Sequence, residues 1–421
     1  MSEEVKKTKT KAKAVIVGGS IAGLSCAHAL ILAGWDVLVL EKSISPPNGS
    51  PTGAGISIDT FSQQIIQSWI PDLHLLQDAT LPLQIDQNVV TDGDEVIRIL
   101  SRDESFNFRA VHWADLHALL YNALPADIFL WGHLFLSFSV SQDKTCVKVN
   151  AKSLHTNEII EINGNLLVSA DGCLSSIRRH FLPDFKLRYS GYCAWRGVLD
   201  FSGDESCGTM KGIRKVYPEL GNCLYFHLTS GTHIVLYQLP NKKLNWIWYV
   251  HQPEPVLKGN SVTQKVNLEM INNMYQQAEN VWPSEFVKVI KDTKEPFLNF
   301  IYDSDPLQQI VWDNVILIGD AAHPTTPHGV RSTNMSIVDA AVLGKCIKKW
   351  GLEKLPCALD EYQSLRLPVT SMQVLHSRRM GRIKQGLSLP DRETFDPTKA
   401  IPEDCEELQQ KSMPYFTLLV D

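Results

Sequence analysis

The apolar positions near the start of the chain predict a strand, a helix and a second strand in direct succession. The run KAVIVGG is continuously apolar and ends in glycines, which is typical of a buried strand. Leu24, Ala27, Leu30 and Ile31 then recur at helical spacing, and Gly34 predicts the helix end. A second apolar run, WDVLVLEK, completes a βαβ unit.

The rest of the chain divides into helical and strand-rich segments. DTFSQQIIQSWI, ADLHALLYNAL and NMSIVDAAVLGKCIKKW have helical patterns, whereas residues 186–300 are rich in strand-like aromatic runs. Apolar strands that end in turn residues return near Asp171 and Asp320. This order predicts an α/β fold in which a mainly antiparallel β-sheet domain is inserted into a discontinuous nucleotide-binding domain, followed by C-terminal helices.

The length of 421 residues predicts more than one core. We place the discontinuous nucleotide-binding domain at residues 12–76, 100–182 and 301–375. The substrate-binding domain is placed at residues 77–99 and 183–300, and a C-terminal helical extension at residues 376–421.

Composition and charge narrow the classes of partner. The net charge of −6 gives no basic field for nucleic acid. The longest apolar stretch, residues 14–40, is interrupted by glycines, His28 and Asp36, so we expect no integral membrane segment. Nine cysteines without a C-x-x-C pair predict free thiols and a cytoplasmic location. The histidines have no metal-ligand spacing, so no metal is expected.

The turn GGSIAG after the first strand nearly matches the dinucleotide fingerprint G-x-G-x-x-G. Gly18 and Gly23 occupy its first and third glycine positions, and Ser20 occupies the second. A helix N-terminus binds pyrophosphate through free N–H groups, and an acid about 20 residues onward binds ribose. Glu41 lies at the end of the next strand, so the turn predicts an FAD or NAD site; an ordinary tight turn is the alternative.

Two further motifs favour FAD. Asp171, Gly172, Ser175 and Arg178 form D-G-x-x-S-x-x-R after a strand, and Gly319-Asp320 ends another strand. An aspartate there can hold ribityl hydroxyls, and the helix that begins near Asn334 can direct its positive end at the flavin pyrimidine. Each motif alone is also compatible with an Asx-capped turn.

With these motifs, which extend from Val15 to Ala340, the chain resembles class A FAD-dependent aromatic hydroxylases of the p-hydroxybenzoate hydroxylase superfamily. GGSIAGL, RAVHWADL, YSGYCAWRGVL and NWIWYV are similar to the 2,6-dihydroxypyridine hydroxylase branch. IYDSDPL and GDAAHPTTP are similar to bacterial urate hydroxylases. The resemblance implies a Rossmann-like (GR2-type) FAD-binding domain with the inserted sheet as substrate domain.

The resemblance also implies cofactor-binding residues along the whole chain. They are Gly18, Gly19, Ser20, Ile21, Ala22 and Gly23 at the pyrophosphate, Glu41 and Lys42 at the adenosine, and Gly55, Arg109, Trp113, Asp171, Gly172, Asp320, Val330, Arg331, Ser332 and Asn334 elsewhere.

One loop departs from the family pattern P-x-x-G-Q-G-x-N. Val330 and Ser332 stand where that pattern has glycines, although Pro327 and Asn334 match it. A valine is costly wherever φ must be positive. The loop therefore either differs in conformation or tolerates ordinary φ at these positions.

The activity implied is insertion of one oxygen atom from O2 into an electron-rich (hetero)aromatic or enol-like small molecule through a flavin C4a-hydroperoxide. The resemblance also implies tightly bound FAD and NADPH or NADH as a transient co-substrate, and we expect a monomer or homodimer. Candidate catalytic residues are Asp303, His233 and Arg196, and candidate substrate contacts are Tyr225, His227, Tyr237 and Trp248. Packing is the alternative role for each, and for Asp303 it is a turn cap before Pro306.

Three other functions are compatible with a flavin fingerprint. A flavin-dependent halogenase carries W-x-W-x-I-P, of which Trp246-Ile247-Trp248 matches only the first part. A flavoprotein oxidase or reductase without stable oxygen transfer is the second. A non-catalytic flavin-binding protein is the third, and the altered loop at Val330 to Ser332 is the feature that suggests it.

Overall fold

The strands form four sheets in the part of the chain that the computed structural model describes, residues 11–47, 53–91, 97–256 and 261–410. In chain order they are β1 (Lys13–Val17), β2 (Asp36–Glu41), β3 (Gly55–Ile58), β4 (Leu81–Leu83), β5 (Ile85–Thr91), β6 (Ile97–Asp103), β7 (Phe108–His112), β8 (Phe129–Trp131), β9 (His133–Val140), β10 (Val147–Ser153), β11 (Ile159–Gly164), β12 (Leu166–Ser169), β13 (Arg188–Asp200), β14 (Cys223–Thr229), β15 (Thr232–Leu239), β16 (Lys243–His251), β17 (Thr263–Gln264), β18 (Phe297–Asp303), β19 (Val311–Trp312) and β20 (Val315–Leu317).

The α-helices pack against these sheets, and the last of them ends at Lys384. They are α1 (Ile21–Leu32), α2 (Thr60–Trp69), α3 (Leu73–Asp78), α4 (Trp113–Asn122), α5 (Ser176–Phe181), α6 (Gly208–Val216), α7 (Leu268–Glu279), α8 (Ser284–Asp292), α9 (Ser332–Trp350) and α10 (Leu355–Lys384).

A six-stranded sheet of order β19-β20-β12-β1-β2-β8 carries the nucleotide-binding half. Its neighbouring strands are parallel except for the β19–β20 pair. Such strands are buried on both faces and read as continuous apolar runs, which is why β1 and β2 were recognisable. The βαβ unit is confirmed, since β1 and β2 are parallel neighbours connected through α1.

An eight-stranded sheet of order β17-β18-β13-β16-β15-β14-β5-β6 forms the second half. It is antiparallel except where β14 lies parallel to β5. The α/β fold with a mainly antiparallel second sheet is therefore confirmed. β6 extends to Asp103, past the boundary predicted at residue 99, and the division into domains stays a prediction.

The C-terminal part differs from the helical extension predicted at residues 376–421. Helix α10 runs through residue 376 to Lys384 without a break, although Pro368 lies inside it. From there to Gln410 the described chain contains the 3-10 helix Pro402–Leu408 and no α-helix. Residues 411–421 lie outside the described residues.

All nine cysteines are free thiols, as their spacing predicted. In the described ranges no helix combines the length and the apolar character needed to cross a membrane.

Candidate active site

The loop between β1 and α1 requires glycine at two places and accepts serine at the third. Gly18 has φ +108°, and a Cβ there would lie 2.3 Å from the Ala170 carbonyl oxygen. A Cβ on Gly23 would lie 1.8 Å from the Gly18 carbonyl oxygen. Ser20 is the exposed N-cap of α1 at φ −83°, and its side chain caps no N–H group. The second fingerprint glycine is therefore dispensable in this backbone.

Glu41 ends β2 directly beside this loop. Its Oε2 accepts from the Gly19 N–H at 2.8 Å, and its Oε1 accepts from the Ser43 N–H at 2.8 Å. His117 Nε2 contacts the Gly19 carbonyl oxygen at 2.8 Å from the other side. Lys42 is exposed next to Glu41. The carboxylate thus stands where the helix N-terminus and the adjacent strand end meet.

These features fit a dinucleotide such as FAD. The two glycines permit the tight turn and the close helix–strand packing of a dinucleotide fingerprint, and the N-terminus of α1 has no side-chain cap that would compete with a phosphate. A carboxylate on the neighbouring strand end suits ribose hydroxyls.

Arg178 joins the D-G motif to the G-D motif. It is 1% exposed, and its Nη1 donates to the carbonyl oxygens of Ala321 at 2.8 Å and Asp320 at 3.2 Å. Burial lowers the pKa of Arg178 to about 10. Asp171 accepts from the Ser176 N–H at 2.8 Å, at the start of α5, whose N-cap is Ser175. The two motifs, distant in sequence, therefore form one contiguous wall.

A buried acid that sequence reasoning missed fixes the second motif. Asp339 Oδ2 accepts from the Gly319 N–H at 2.9 Å and contacts His323 Nε2 at 2.6 Å. Arg366 Nε donates to its Oδ1 at 2.7 Å. Burial alone raises the pKa of Asp339, but His323 and Arg366 outweigh burial and keep that pKa below its ordinary value. Asp339 lies inside the helical pattern of α9, so only the fold reveals this role.

A cavity of about 300 Å³ separates the motifs from the eight-stranded sheet. The cofactor side contributes loop residues and the sheet side contributes mostly aromatic and aliphatic residues. The lining includes Gly55, Ser57, Asp320, Pro327, His328, Val330, Arg331 and Ser332 on the first side, and Arg196, Phe226, Tyr237 and Tyr249 on the second.

The predicted substrate contacts separate onto the two faces of the sheet. Arg196 and Tyr237 line the cavity. Tyr225, His227 and Trp248 lie on the opposite face of the sheet, where Tyr225 and Trp248 belong to an apolar cluster and His227 contacts the Tyr217 hydroxyl. Their role as substrate contacts stays a prediction. Side chains alternate along a strand, so the adjacent residues Phe226 and Tyr249 face the cavity instead.

His233 does not line the cavity, but it forms a buried pair with His328, which does. Its Nε2 is 3.3 Å from His328 Nε2, and its ring stacks on Tyr249 with a centroid distance of 4.5 Å. Gln385 Nε2 lies 2.9 Å from His233 Nδ1, and the Tyr192 hydroxyl lies 3.4 Å from His328 Nδ1. Burial, together with Lys384 and Arg196, lowers the pKa of His328 to about 3. Both rings are therefore neutral near pH 7.

Asp303 and Arg109 are engaged with other parts of the protein. Asp303 is 0% exposed, and its Oδ2 accepts from Arg188 Nη2 at 2.7 Å and Arg378 Nε at 2.8 Å. Arg109 donates to the Thr80 hydroxyl at 2.5 Å. Neither lines the cavity, which favours the structural alternative for Asp303; their catalytic and cofactor roles, like that of Trp113, stay predictions.

The departing loop uses positive φ although it lacks the family glycine. Val330 has φ +55° and follows Gly329 at φ +78°. Ser332 begins α9, and its hydroxyl donates to Asp320 Oδ1 at 2.7 Å. Asn334 Nδ2 donates to the Val330 carbonyl oxygen, at 2.6 Å. The expectation of ordinary φ is therefore wrong at position 330, because Val330 adopts the positive φ that is costly for a β-branched residue.

No family model matches the chain. Curated relatives that cover most of it are named monooxygenases or hydroxylases. The aurachin C monooxygenase/isomerase of Stigmatella aurantiaca is 26% identical over 386 residues, which is 90% of this chain and 91% of the relative.

Solved structures share the fold. The 2,6-dihydroxypyridine-3-hydroxylase of Arthrobacter nicotinovorans superposes with a TM-score of 0.76 at 22% identity, covering 92% of this chain and 96% of that one. HpxO of Klebsiella pneumoniae, complexed with FAD and uric acid, gives 0.72 at 21% identity, with 89% of each chain covered. The resemblance to FAD-dependent aromatic hydroxylases, including the dihydroxypyridine branch, is confirmed by these relatives and this fold. Across the described ranges no cluster of three or more His, Cys, Asp or Glu side chains is arranged to hold a metal.

Proposed function

We propose that this protein is a FAD-dependent, NAD(P)H-consuming monooxygenase that hydroxylates a small, electron-rich aromatic or heteroaromatic anion. The observation that carries the proposal is the cavity itself. One wall holds the G-D motif through Asp320 and the loop at Val330, and the opposite wall presents Arg196 among aromatic side chains. The names of the curated relatives support the same reaction class.

Bound FAD supplies the redox chemistry, accepting reducing equivalents from NAD(P)H and activating O2. The free amides at the N-terminus of α1 would hold its pyrophosphate, and Glu41 its ribose. Asp320 would face the ribityl chain. The amides that begin α9 would stabilise negative charge on the pyrimidine.

Arg196 supports an anionic substrate. Its side chain is half-buried against the cavity, and its buried Nε has no hydrogen-bond partner in the described part of the chain. No ion pair of Arg196 occurs among the described residues either, although a cation withdrawn from water is normally paired. A carboxylate or phenolate of the substrate would supply that missing partner.

The electrostatics around the cavity favour the reactive form of such a substrate. Arg196 supplies a positive charge at the cavity, whereas burial keeps His233 and His328 neutral. A positive potential lowers the pKa of a bound hydroxyl group, and the resulting anion is the better nucleophile toward electrophilic oxygen. The histidine pair then serves as a neutral hydrogen-bond partner, and the Tyr237 hydroxyl orients the ring.

The first test asks whether the protein binds FAD and transfers oxygen to a product. Purified protein reconstituted with FAD should oxidise NADH or NADPH faster when a suitable ligand is present, and ¹⁸O from ¹⁸O2 should enter the product detected by mass spectrometry. Oxidation that yields only hydrogen peroxide across a broad panel of phenols and hydroxypyridines would support an oxidase or reductase instead. Absence of flavin binding would overturn the proposal altogether.

The second test addresses the charge of the substrate. We expect 6-hydroxynicotinate to bind the holoprotein at least 10-fold more tightly than 6-hydroxynicotinamide, as measured by perturbation of the flavin absorbance. Arg196→Gln should remove that preference, since a charged hydrogen bond is worth roughly 1.5–3 kcal/mol. Arg214→Gln is the matched control, because Arg214 is an exposed arginine of the same half. Equal binding of acid and amide by the unaltered protein would contradict an anionic substrate.

A further inference from the structure

Gln410, at the end of the described chain, contacts the loop at Val330 through both its side chain and its backbone. Gln410 is 0% exposed. Its Oε1 accepts from the Gly329 N–H at 2.8 Å, and its carbonyl oxygen accepts from Arg331 Nη2 at 2.6 Å. One residue from the C-terminal segment thus holds the two residues that flank Val330 in sequence.

Gln410 is itself anchored to the eight-stranded sheet. Its N–H donates to Asp86 Oδ2 at 2.7 Å, and Asp86 is 0% exposed on β5. Lys384, 1% exposed at the end of α10, donates to Asn88 Oδ1 at 2.7 Å on the same strand. Burial raises the pKa of Asp86 to about 6, while Lys384 acts to lower it. The anchor therefore consists of buried polar groups, whose geometry is narrowly defined because each must be satisfied.

The segment that leads to Gln410 is also attached at several points. Arg98 Nη2 donates to the Pro397 carbonyl oxygen at 2.9 Å. Arg379 binds Glu407 through two hydrogen bonds of 3.0 Å. Leu408 is 0% exposed in the apolar cluster that includes Phe226. The segment that carries Gln410 is therefore fixed to the rest of the protein at several points before it reaches the loop.

The loop needs such a support because of its own sequence. A β-branched residue at φ +55° is disfavoured, and it persists only where surrounding structure imposes it. The Gly329 N–H lies immediately before Val330, so a fixed acceptor at that atom restrains the strained backbone directly.

We propose that Gln410 is a positioning residue, which clamps the loop from Pro327 to Ser332 in the conformation that presents its backbone to the flavin. The clamp does in this chain what glycine does in the family pattern, namely make positive φ accessible at the position of Val330. Its effect on flavin rests on the proposed function, whereas its effect on the loop is independent of any cofactor.

The test replaces the acceptor without changing the shape. Gln410→Met keeps the volume of the side chain but removes Oε1, and Gln410→Glu restores an acceptor oxygen. Gln409→Met is the matched control, because it makes the same change at the neighbouring residue, whose side chain donates to the Arg102 carbonyl oxygen at 3.2 Å. The readout in full-length, cofactor-free protein is hydrogen–deuterium exchange of peptides that cover residues 327–334.

We expect Gln410→Met to accelerate exchange in this peptide at least 10-fold, with peptides of β13 unchanged. Gln410→Glu should return exchange toward the original rate, and Gln409→Met should leave it unaltered. In the holoprotein, Gln410→Met should make the flavin reduction potential more negative while FAD remains bound, since the pyrophosphate site is elsewhere. The proposal is overturned if Gln410→Met leaves loop exchange unchanged, or if Gln409→Met accelerates it equally.

These measurements separate the two proposals. If the original protein binds no FAD, the proposed function fails, but the exchange data still decide the clamp. If FAD binds and product forms while Gln410→Met leaves exchange and potential unchanged, the clamp fails and the proposed function stands.

Discussion

The two loops that precede α1 and α9 solve the same structural problem in different ways. Each brings a helix N-terminus to the predicted cofactor, and each contains residues with positive φ. In the first loop Gly18, at φ +108°, is a glycine. In the second, Val330 takes φ +55° beside Gly329, and Gln410 restrains the backbone from the far end of the chain. The first conformation is encoded locally and the second is imposed by tertiary contacts.

Because of this difference, we expect substitutions to affect the two loops differently. A substitution at Gly18 or Gly23 introduces a clash with backbone atoms, which only a shift of the backbone can relieve. A change in the second loop alters the balance between a strain of about 1–2 kcal/mol and the hydrogen bonds that oppose it. We therefore expect substitutions in the first loop to abolish the native loop conformation, and substitutions in the second loop to weaken it gradually.

The largest effect should follow Gly23→Ala. The new Cβ would lie 1.8 Å from the Gly18 carbonyl oxygen, so α1 must move away from β1. We expect destabilisation of about 4 kcal/mol or more, and loss of FAD retention, measured by chemical denaturation and flavin fluorescence titration. Gly208→Ala is the control, since nothing lies within 4 Å of its added Cβ. A Gly23→Ala protein that stays fully yellow would show that the first loop is as adaptable as the second.

The next effect concerns His328 in the second loop and depends on pH. Burial lowers the pKa of His328 to about 3 in the folded protein, whereas an unfolded histidine titrates near 6.5. The unfolded state therefore binds more protons between these values, so stability is full above pH 6.5 and falls as pH decreases toward 3.

We expect His328→Gln to reduce the acid slope of unfolding free energy by up to about 1.4 kcal/mol per pH unit between pH 6 and pH 4. Urea denaturation at several pH values measures that slope. His133→Gln serves as control, because His133 is half-buried on β9, in the three-stranded sheet, and contacts the Trp131 carbonyl oxygen. Identical acid slopes in His328→Gln and the original protein would contradict a buried neutral His328.

A smaller effect tests whether strain and clamp compensate each other. Val330→Gly relieves the positive φ, so the loop should depend less on Gln410. In a double-mutant cycle with Gln410→Met, we expect a coupling of about 1 kcal/mol, with the second substitution less damaging in the Val330→Gly background. Additive effects on unfolding free energy would mean that Gln410 does not oppose the strain at Val330.

The smallest effect should follow Ser20→Gly, which restores the common fingerprint. Ser20 is exposed, has ordinary φ and makes no capping hydrogen bond, so its replacement removes no contact within the described structure. We expect FAD affinity, measured by fluorescence titration, to change by less than about 0.5 kcal/mol. A larger loss would indicate that the Ser20 hydroxyl itself binds the phosphate.

The cofactor side of the site was accessible from sequence to a greater extent than the substrate side. Gly18, Gly23 and Glu41 were recognised because a strand, a turn and a helix specify their surroundings within about 30 residues. Asp339 and Gln410 were missed, since a buried acid within a helical pattern and a glutamine near the C-terminus carry no local signal. Their roles depend on contacts with Gly319 and Gly329, which only folding brings near.

Sequence alone determined that this chain is an α/β protein with a βαβ nucleotide unit, because apolar periodicity and turn glycines act over short distances. It also determined that Tyr225 and His227 share one face of a strand, since side chains alternate. Only the tertiary structure decided that this face meets the apolar core while Phe226 and Tyr249 meet the cavity. Alternation of side chains defines two faces of a strand but does not distinguish them. The face that lines the cavity is the one on the side of the sheet that packs against the nucleotide-binding half.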